Sequence, residues 1–372
     1  MQSKYEVPVP LIEIAARFEH RGKIIDIREW GSGNVNDTFL VTQDDKQEEH
    51  FILQRINTRV FPRPELVMRN MRVVTEHVRG RLEQAPPSEG RRWEVVRVLP
   101  AEDGQDHWID PLGSFWRAIS FIGDSRSFDT IQSEGHAREV GYGLGMFQSL
   151  ISDLPAERLS DTLDGFHITP RYVEHYDDVM ATKPTLKSAE AAYCLRFVSE
   201  RRGWAHILEN ARKQGRLHLR PIHGDPKMNN VLIDTITGQA VSIVDLDTVK
   251  PGLIHYDIGD CLRSSCNPLG EETERWEAVR FEPDICRAIL QGYLPLAGDF
   301  LTENDHRYMY DAIRLIAFEL GLRFFTDYLE GDVYFKANRP EHNLCRALVQ
   351  FRLTESIESQ ARVIGTILGD MR

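Results

Sequence analysis

The chain has 372 residues, 41% hydrophobic and 27% charged, and its 45 Lys and Arg against 57 Asp and Glu give a formal charge of −12. Such a composition supplies a sizeable core and excludes disordered, collagen-like and fibrous architectures; the acidic balance argues against a general nucleic-acid or anionic-membrane surface. The longest run free of Lys, Arg, Asp and Glu, Val140 to Ser152, contains three glycines and falls short of the ~18 apolar residues a spanning helix needs.

The opening residues MQSKYE lack the apolar core of a secretory leader. Five cysteines, an odd number without a C-x-x-C pair, argue against a disulfide framework or a zinc site. A cytoplasmic protein is expected, of two domains by its length.

In chain order, Lys23 to Trp30, Thr38 to Thr42 and Phe51 to Arg55 read as short strands. Pro64 to Val78 reads as a helix, with Leu66, Met68, Met71, Val74 and Val78 near 3.6 spacing. A turn cluster at Gln84 to Gly90 precedes two more strand-like runs, Trp93 to Val98 and Phe115 to Ile122. After Gly123 the pattern turns helical: His136 to Leu150, one segment from Ser188 to Gln214, and Asp311 to Tyr328. Val231 to Asp234 and Ala240 to Val244, joined by Thr235-Ile-Thr-Gly238, predict a hairpin between them. The expected fold class is α+β, with a β-rich lobe over residues 1–122 and a larger, mainly helical lobe over 123–372.

The most informative stretch is Ile222 to Asn230, followed by the hairpin and Val244-Asp-Leu-Asp247. Phosphoryl transfer needs a carboxylate beside the acceptor hydroxyl and oxygen ligands for Mg²⁺. The spacing H-x-D-x-x-x-x-N, with an apolar-flanked Asp some fifteen residues on, supplies both. Asp225 would orient the hydroxyl and take its proton, Asn230 and Asp245 would hold Mg²⁺ against the phosphates of ATP, and Lys227 would neutralise the transferring group. Singly, each of these residues is an ordinary turn former; their joint spacing carries the reading.

His223, Asp225, Asn230 and Asp245 resemble the catalytic and metal motifs of the aminoglycoside phosphotransferase and choline kinase superfamily, which implies a protein-kinase-like two-lobe fold. In that frame, Gly31, Gly33, Asn34 and Asn36 fall where a phosphate-covering loop belongs, and Ser120, Phe121 and Ile122, running into Gly123, correspond to the adenine-binding hinge. The family's third-strand cation falls on Gln54 or Arg55, only one of which can point at the site because side chains alternate along a strand. Its usual acidic partner falls on Glu65 or Glu76. His223 is expected to orient the loop while Asp225 acts as base.

Asp245-Leu-Asp247-Thr248, Gln54 to Pro62, Gly165 to Pro170, and Leu322 to Tyr334 ending in His342 to Arg346 are similar to the N-acetylhexosamine 1-kinase branch. That resemblance implies sugar contacts from Thr248, Arg323 and Tyr334, with Asp225 at the anomeric hydroxyl and Asp247 either joining the metal or hydrogen-bonding the sugar. Two readings compete with it: an aminoglycoside- or choline-type kinase, and a nucleotide-binding pseudokinase.

Arg59 to Arg97 holds nine Arg against five Glu, which reads as a solvated helix face. His167, His255 and His342 show no metal-ligand spacing and read as ordinary polar residues. Asp257 and Asp260 are expected to hydrogen-bond the backbone of the catalytic loop. No nucleic-acid or membrane partner is expected; the acceptor is a small sugar, and the sequence leaves the oligomeric state open, a monomer included.

Overall fold

The computed structural model describes residues 10–31, 35–45, 49–87, 90–182 and 188–371. The strand-forming runs near the start of the chain pair into one antiparallel sheet. Helix α1 (Leu11–Ala15) leads to β1 (Ile24–Glu29), β2 (Asp37–Gln43), β3 (His50–Ile56), α2 (Pro64–Gln84), β4 (Val98–Leu99), β5 (Trp108–Ile109) and β6 (Phe115–Ser120). The sheet runs β1-β2-β3-β6-β4, with β5 also on β6. Its core gathers Val41, Phe51, Leu53, Trp116 and Ala118, and the register sets Gln54 opposite Arg117.

Pro64 opens α2, where a missing backbone N–H costs nothing. The helix runs beyond Val78, through Gly80, to Gln84 and stops before Ala85-Pro86. Trp93 to Val98 departs from the strand expectation. Only Val98 and Leu99 join the sheet, while Trp93 and Val96 are buried from an irregular segment. The apolar residues there record burial without a ladder.

Residues 157–163 and 246–249 belong to this same compact unit, which extends to Asp124. Buried Asn70 on α2 ties both returning segments down: its amide donates to the Ser160 and Val249 carbonyls, each at 2.8 Å, and its oxygen accepts from the Ser160 amide at 2.9 Å.

The second unit holds residues 125–156, 164–245 and 250–372. Its elements are β7 (Ser125–Arg126), α3 (Glu134–Ile151), α4 (Thr169–Ala181), α5 (Ala189–Arg201), α6 (Ile207–Lys213), β8 (Arg220–Ile222), β9 (Val231–Asp234), β10 (Ala240–Ile243), β11 (Lys250–Gly252), α7 (Ile254–Ser265), α8 (Pro283–Ala297), α9 (Glu303–Glu330), α10 (His342–Ser359) and α11 (Ala361–Asp370). The expected hairpin is β9–β10, with β7 added beside β9, and β8 pairs with β11. The single helix expected over 188–214 is broken: α5 ends at Arg201, a tight turn spans Arg202–Trp204 and α6 follows, consistent with the cost of Gly203 in a helix interior.

Helix α9 is the axis of this unit. Thr302 and Asp305 cap its start reciprocally and Gly331 ends it at φ 94°. Phe318, Leu322 and Phe325 share its core with Phe197 of α5 and Phe351 of α10, whose rings stack at 4.4 Å. Helices α3 and α8 meet backbone to backbone. A methyl on Gly141 would collide with the Ile289 carbonyl, and one on Gly292 with the Arg138 carbonyl. Among the described residues no helix is long and apolar enough to cross a membrane.

Candidate active site

Strand β8 delivers the chain into the loop His223–Asn230, which is held from several sides. Asp257 on α7 accepts the His223 amide at 2.9 Å and the Gly224 amide at 2.8 Å, and Gln148 on α3 donates to the same carboxylate at 3.0 Å. Gly224 takes φ 86°, a left-handed turn that glycine adopts without strain. Asp260, in contrast to expectation, turns to buried Arg263 at 2.6 Å. His223 bridges loop and hairpin: Nδ1 accepts the Asp225 amide at 3.2 Å and Nε2 donates to the Val244 carbonyl at 3.0 Å. One accepting and one donating nitrogen define a neutral ring, and burial holds its pKa below the ordinary histidine value.

Asp225 keeps 26% of its side chain open and pairs with Lys227 at 3.0 Å. Burial pushes its carboxyl up, to about 7, against the pull of Lys227 and with help from Asp260 and Asp245. Asp225 in turn drives the Lys227 ammonium upward. Asn230, buried, donates its side-chain amide to the Asp225 carbonyl at 2.7 Å, which leaves Oδ1 as its oxygen for a cation. Asp245 sits just past β10 at φ 65°, and its charge is felt by both Asp225 and Lys227.

An amide oxygen and a carboxylate suit a hard dication such as Mg²⁺, which takes one or two protein oxygens and completes its shell with water and phosphate. Among the described residues no trio of His, Cys, Asp or Glu could hold a metal unaided. An amide oxygen on Asn230 and a carboxylate on Asp245 are a donor set that fits such a cation.

The segment 165–169 and helix α9 add groups whose roles the sequence does not announce. His167 is buried at φ 64°, with Nδ1 2.8 Å from Glu319 Oε1 and Nε2 2.7 Å from the Gly224 carbonyl oxygen. Glu319 also accepts the Thr169 hydroxyl at 2.7 Å. One turn along α9, the Arg323 guanidinium lies over four rings: Tyr172 at 5.0 Å, Phe166 at 5.2 Å, Phe335 at 5.3 Å and Tyr334 at 5.9 Å. Burial works against the charge on Arg323, but Tyr172, Tyr334, Glu319 and Asp225 together hold its pKa above the ordinary value. Tyr334 itself is 51% exposed. Buried Asp327 gathers its loop, accepting the amides of Val333, Tyr334 and Phe335 at 2.9, 2.7 and 3.0 Å.

In the first unit, strand alternation turns Gln54 and Arg55 to opposite faces of β3. Arg55 is exposed and pairs with Asp37 at 2.5 Å, while Gln54 points inward, donating to Thr38 Oγ1 at 2.9 Å. The Gln54 oxygen accepts Nε and Nη2 of Arg117 at 2.9 and 2.7 Å. The buried cation at this position thus comes from β6, and its carboxylate partner is Asp247, at 2.5 Å. Glu76 instead pairs with Arg72 and Glu65 is exposed in the first turn of α2.

Asp247 accepts from Asn36 Nδ2 at 2.6 Å as well, and Asn36 Oδ1 receives the Asn57 amide at 3.0 Å. Both carboxylate oxygens of Asp247 and both ends of the Asn36 side chain are therefore committed within the unit. Thr248 follows Asp247 in the same short turn. Gly31 adopts φ 76°; Gly33 and Asn34 lie outside the described residues. In the expected hinge, the Ser120 amide donates to the Arg97 carbonyl at 2.9 Å, Phe121 packs edge-on against Trp30 and His50, and Ile122 is buried.

Sequence reasoning missed Arg117, Glu319 and Asp327 as site-supporting residues. A signal existed for the first two, since each is a charge inside an otherwise apolar pattern. Asp327 carried none.

An antiparallel sheet with one long helix, followed by a helical unit bearing an H-x-D loop and a hairpin-borne Asp, defines a protein-kinase-like phosphotransferase. The chain belongs to the phosphotransferase enzyme family (APH), which residues 26–294 match. Three similar solved structures share the fold. A microcompartment-associated aminopropanol kinase is 16% identical, with 94% of this chain and 97% of that one covered at TM-score 0.61. Choline kinase from Cryptosporidium parvum is 14% identical, with 96% of each chain covered at TM-score 0.59. Spectinomycin phosphotransferase, in complex with ADP and spectinomycin, is 12% identical, with 96% of this chain and 100% of that one covered at TM-score 0.57.

Proposed function

We propose that the protein transfers the γ-phosphoryl group of ATP to the anomeric hydroxyl of an N-acetylhexosamine, with N-acetylglucosamine or N-acetylgalactosamine as acceptor, giving a sugar 1-phosphate and ADP. The observation that carries the acceptor class is Arg323 among four aromatic rings, close enough to Asp225 for their charges to interact. A guanidinium and aromatic faces suit a neutral, hydroxyl-rich ring. The same cation opposes an ammonium-bearing acceptor such as choline or aminopropanol. Nucleotide use is supported by the ADP bound to the spectinomycin enzyme of the same fold.

In this reading Asp225 accepts the hydroxyl proton as the new O–P bond forms and the bond from the γ-phosphorus to the β–γ bridging oxygen breaks, ADP leaving with that electron pair. Lys227 steadies the carboxylate and faces the transferring charge. Asn230 Oδ1 and the Asp245 carboxylate would hold Mg²⁺, which when bound supplies charge neutralisation on the phosphates. Arg323 and Tyr334 would orient the sugar.

The test is ADP release with Mg-ATP over N-acetylglucosamine, N-acetylgalactosamine, glucose, galactose, choline and kanamycin, each sugar beside its 1-O-methyl glycoside. Turnover on a free N-acetylhexosamine that vanishes with the methyl cap is expected. Turnover that survives the cap, or that appears only with choline or kanamycin, overturns the acceptor.

A further inference from the structure

The two histidines that grip the catalytic loop differ in the demands on their ring nitrogens. His223 faces one donor and one acceptor, which a neutral imidazole satisfies. His167 faces two acceptors, the Glu319 carboxylate at 2.8 Å and the Gly224 carbonyl at 2.7 Å. Only an imidazolium donates from both nitrogens. His167 is also a non-glycine residue at φ 64°, a conformation the surrounding structure must enforce. The carbonyl it holds belongs to the residue immediately before Asp225, and Asp257 holds the amide of that same residue from the other side at 2.8 Å.

We propose that His167 is a positioning residue of phosphoryl transfer: as an imidazolium clamped by Glu319, it fixes the Gly224 peptide and so the backbone that presents Asp225. This rests on the reading of Asp225 as the base. Every packed element contributes to the charge balance around the ring. Helix α9 supplies Glu319, and also Arg323 against the neighbouring Phe166 ring; α7 supplies Asp260 and the stacked Tyr256 ring at 5.2 Å; β11 supplies Lys250, whose Nζ reaches the Phe166 carbonyl at 3.5 Å. Burial alone would favour the neutral ring, but the Glu319 charge and hydrogen bond, then Asp260 and the Gly224 carbonyl, hold its pKa above the ordinary histidine value. Turnover therefore carries an alkaline limb: losing the proton removes one of the two clamps.

Glu319→Gln separates charge from contact. A glutamine amide can donate to an unprotonated Nδ1 while its oxygen still accepts the Thr169 hydroxyl, so a neutral ring keeps Nε2–H on Gly224. The expected result is a pH profile of turnover from which the alkaline limb is gone. His167→Asn, which tolerates the left-handed backbone, should lower kcat about ten- to hundred-fold with KM for ATP unchanged. An unchanged kcat in His167→Asn, or an unchanged limb in Glu319→Gln, overturns the proposal.

Nuclear magnetic resonance keeps the inference independent of the acceptor. If no sugar in the panel is phosphorylated, the assignment of function fails, yet the wild-type His167 ring must still show two bonded N–H groups at a pH where an ordinary histidine has lost its proton. The Gly224 carbonyl ¹³C shift must also move as that ring loses its proton, and not in Glu319→Gln. A ring with a single N–H, or a Gly224 carbonyl indifferent to it, overturns the proposal.

Discussion

The site-bearing parts of the two units are built differently. In the second unit, Asp225, Lys227, Asn230 and Asp245 come from one loop and the hairpin after it, and their mutual geometry is set by short-range bonds such as Asn230 to the Asp225 carbonyl at 2.7 Å. In the first, the corresponding cluster draws Asn36, Gln54, Arg117 and Asp247 from four separate stretches and closes only when the sheet is in register. The difference teaches that chemistry can be encoded locally, whereas the frame on which it rests is encoded in tertiary packing. Changes in the loop should cost turnover; changes in the first-unit cluster should cost stability.

The largest expected effect is on turnover. Asp225→Asn should reduce kcat by about 10²–10⁴-fold while ATP affinity holds; wild-type-like turnover would dismiss Asp225 as base. The same substitution should raise Tm at pH 8. Burial disfavours the ionised Asp225 carboxyl, so its folded pKa lies above its unfolded one and the charge opposes folding in alkaline solution. A Tm that falls instead would mean that the Lys227 ion pair outweighs the cost of burial.

Next comes the first-unit pair. Asp247→Ala strands buried Arg117 and should cost about 3–5 kcal/mol in urea unfolding, of which the double change Arg117→Met with Asp247→Leu restores a large part. A loss confined to turnover, with unfolding unchanged, would erase the contrast between the units. A smaller effect is expected from pH. The raised pKa of His167 gives stability that is complete below the ordinary histidine range and lost as pH rises through the folded value. Tm should therefore decline on the alkaline side in the wild type and less in Glu319→Gln. Arg55→Ala, which breaks a half-exposed pair, should change stability by no more than about 1 kcal/mol and leave KM for ATP unmoved; a large rise in KM would return Arg55 to the nucleotide.

These contrasts follow what the sequence made legible. The loop, hairpin and strand-rich start were readable because each is a local pattern: H-x-D-x-x-x-x-N spacing, two apolar runs around a turn, short runs of strand-forming residues along β2 and β3. The break between α5 and α6 was not, because a single Gly203 had to be weighed against a long run of helix formers. Trp93 to Val98 misled because burial in an irregular segment imitates a strand. Arg117 was hidden because its relation to Gln54 exists only across the β3–β6 register, and its relation to Asp247 only in the folded unit. His167 read as ordinary because nothing local says that its two nitrogens will meet a carboxylate and a carbonyl.

The glycine seam between α3 and α8 has a bearing on motion. Where Gly141 meets the Ile289 carbonyl and Gly292 meets that of Arg138, no side chain lies between the backbones to change rotamer and let one helix slide on the other. Gln148, which bonds the loop-holding Asp257, and Tyr293, which donates to Gln148 at 2.6 Å, stand on these two helices. The pair should behave as one plank, its central amides exchanging with solvent only when the whole unit opens, so that the catalytic loop takes its bearings from the part of the molecule least able to drift.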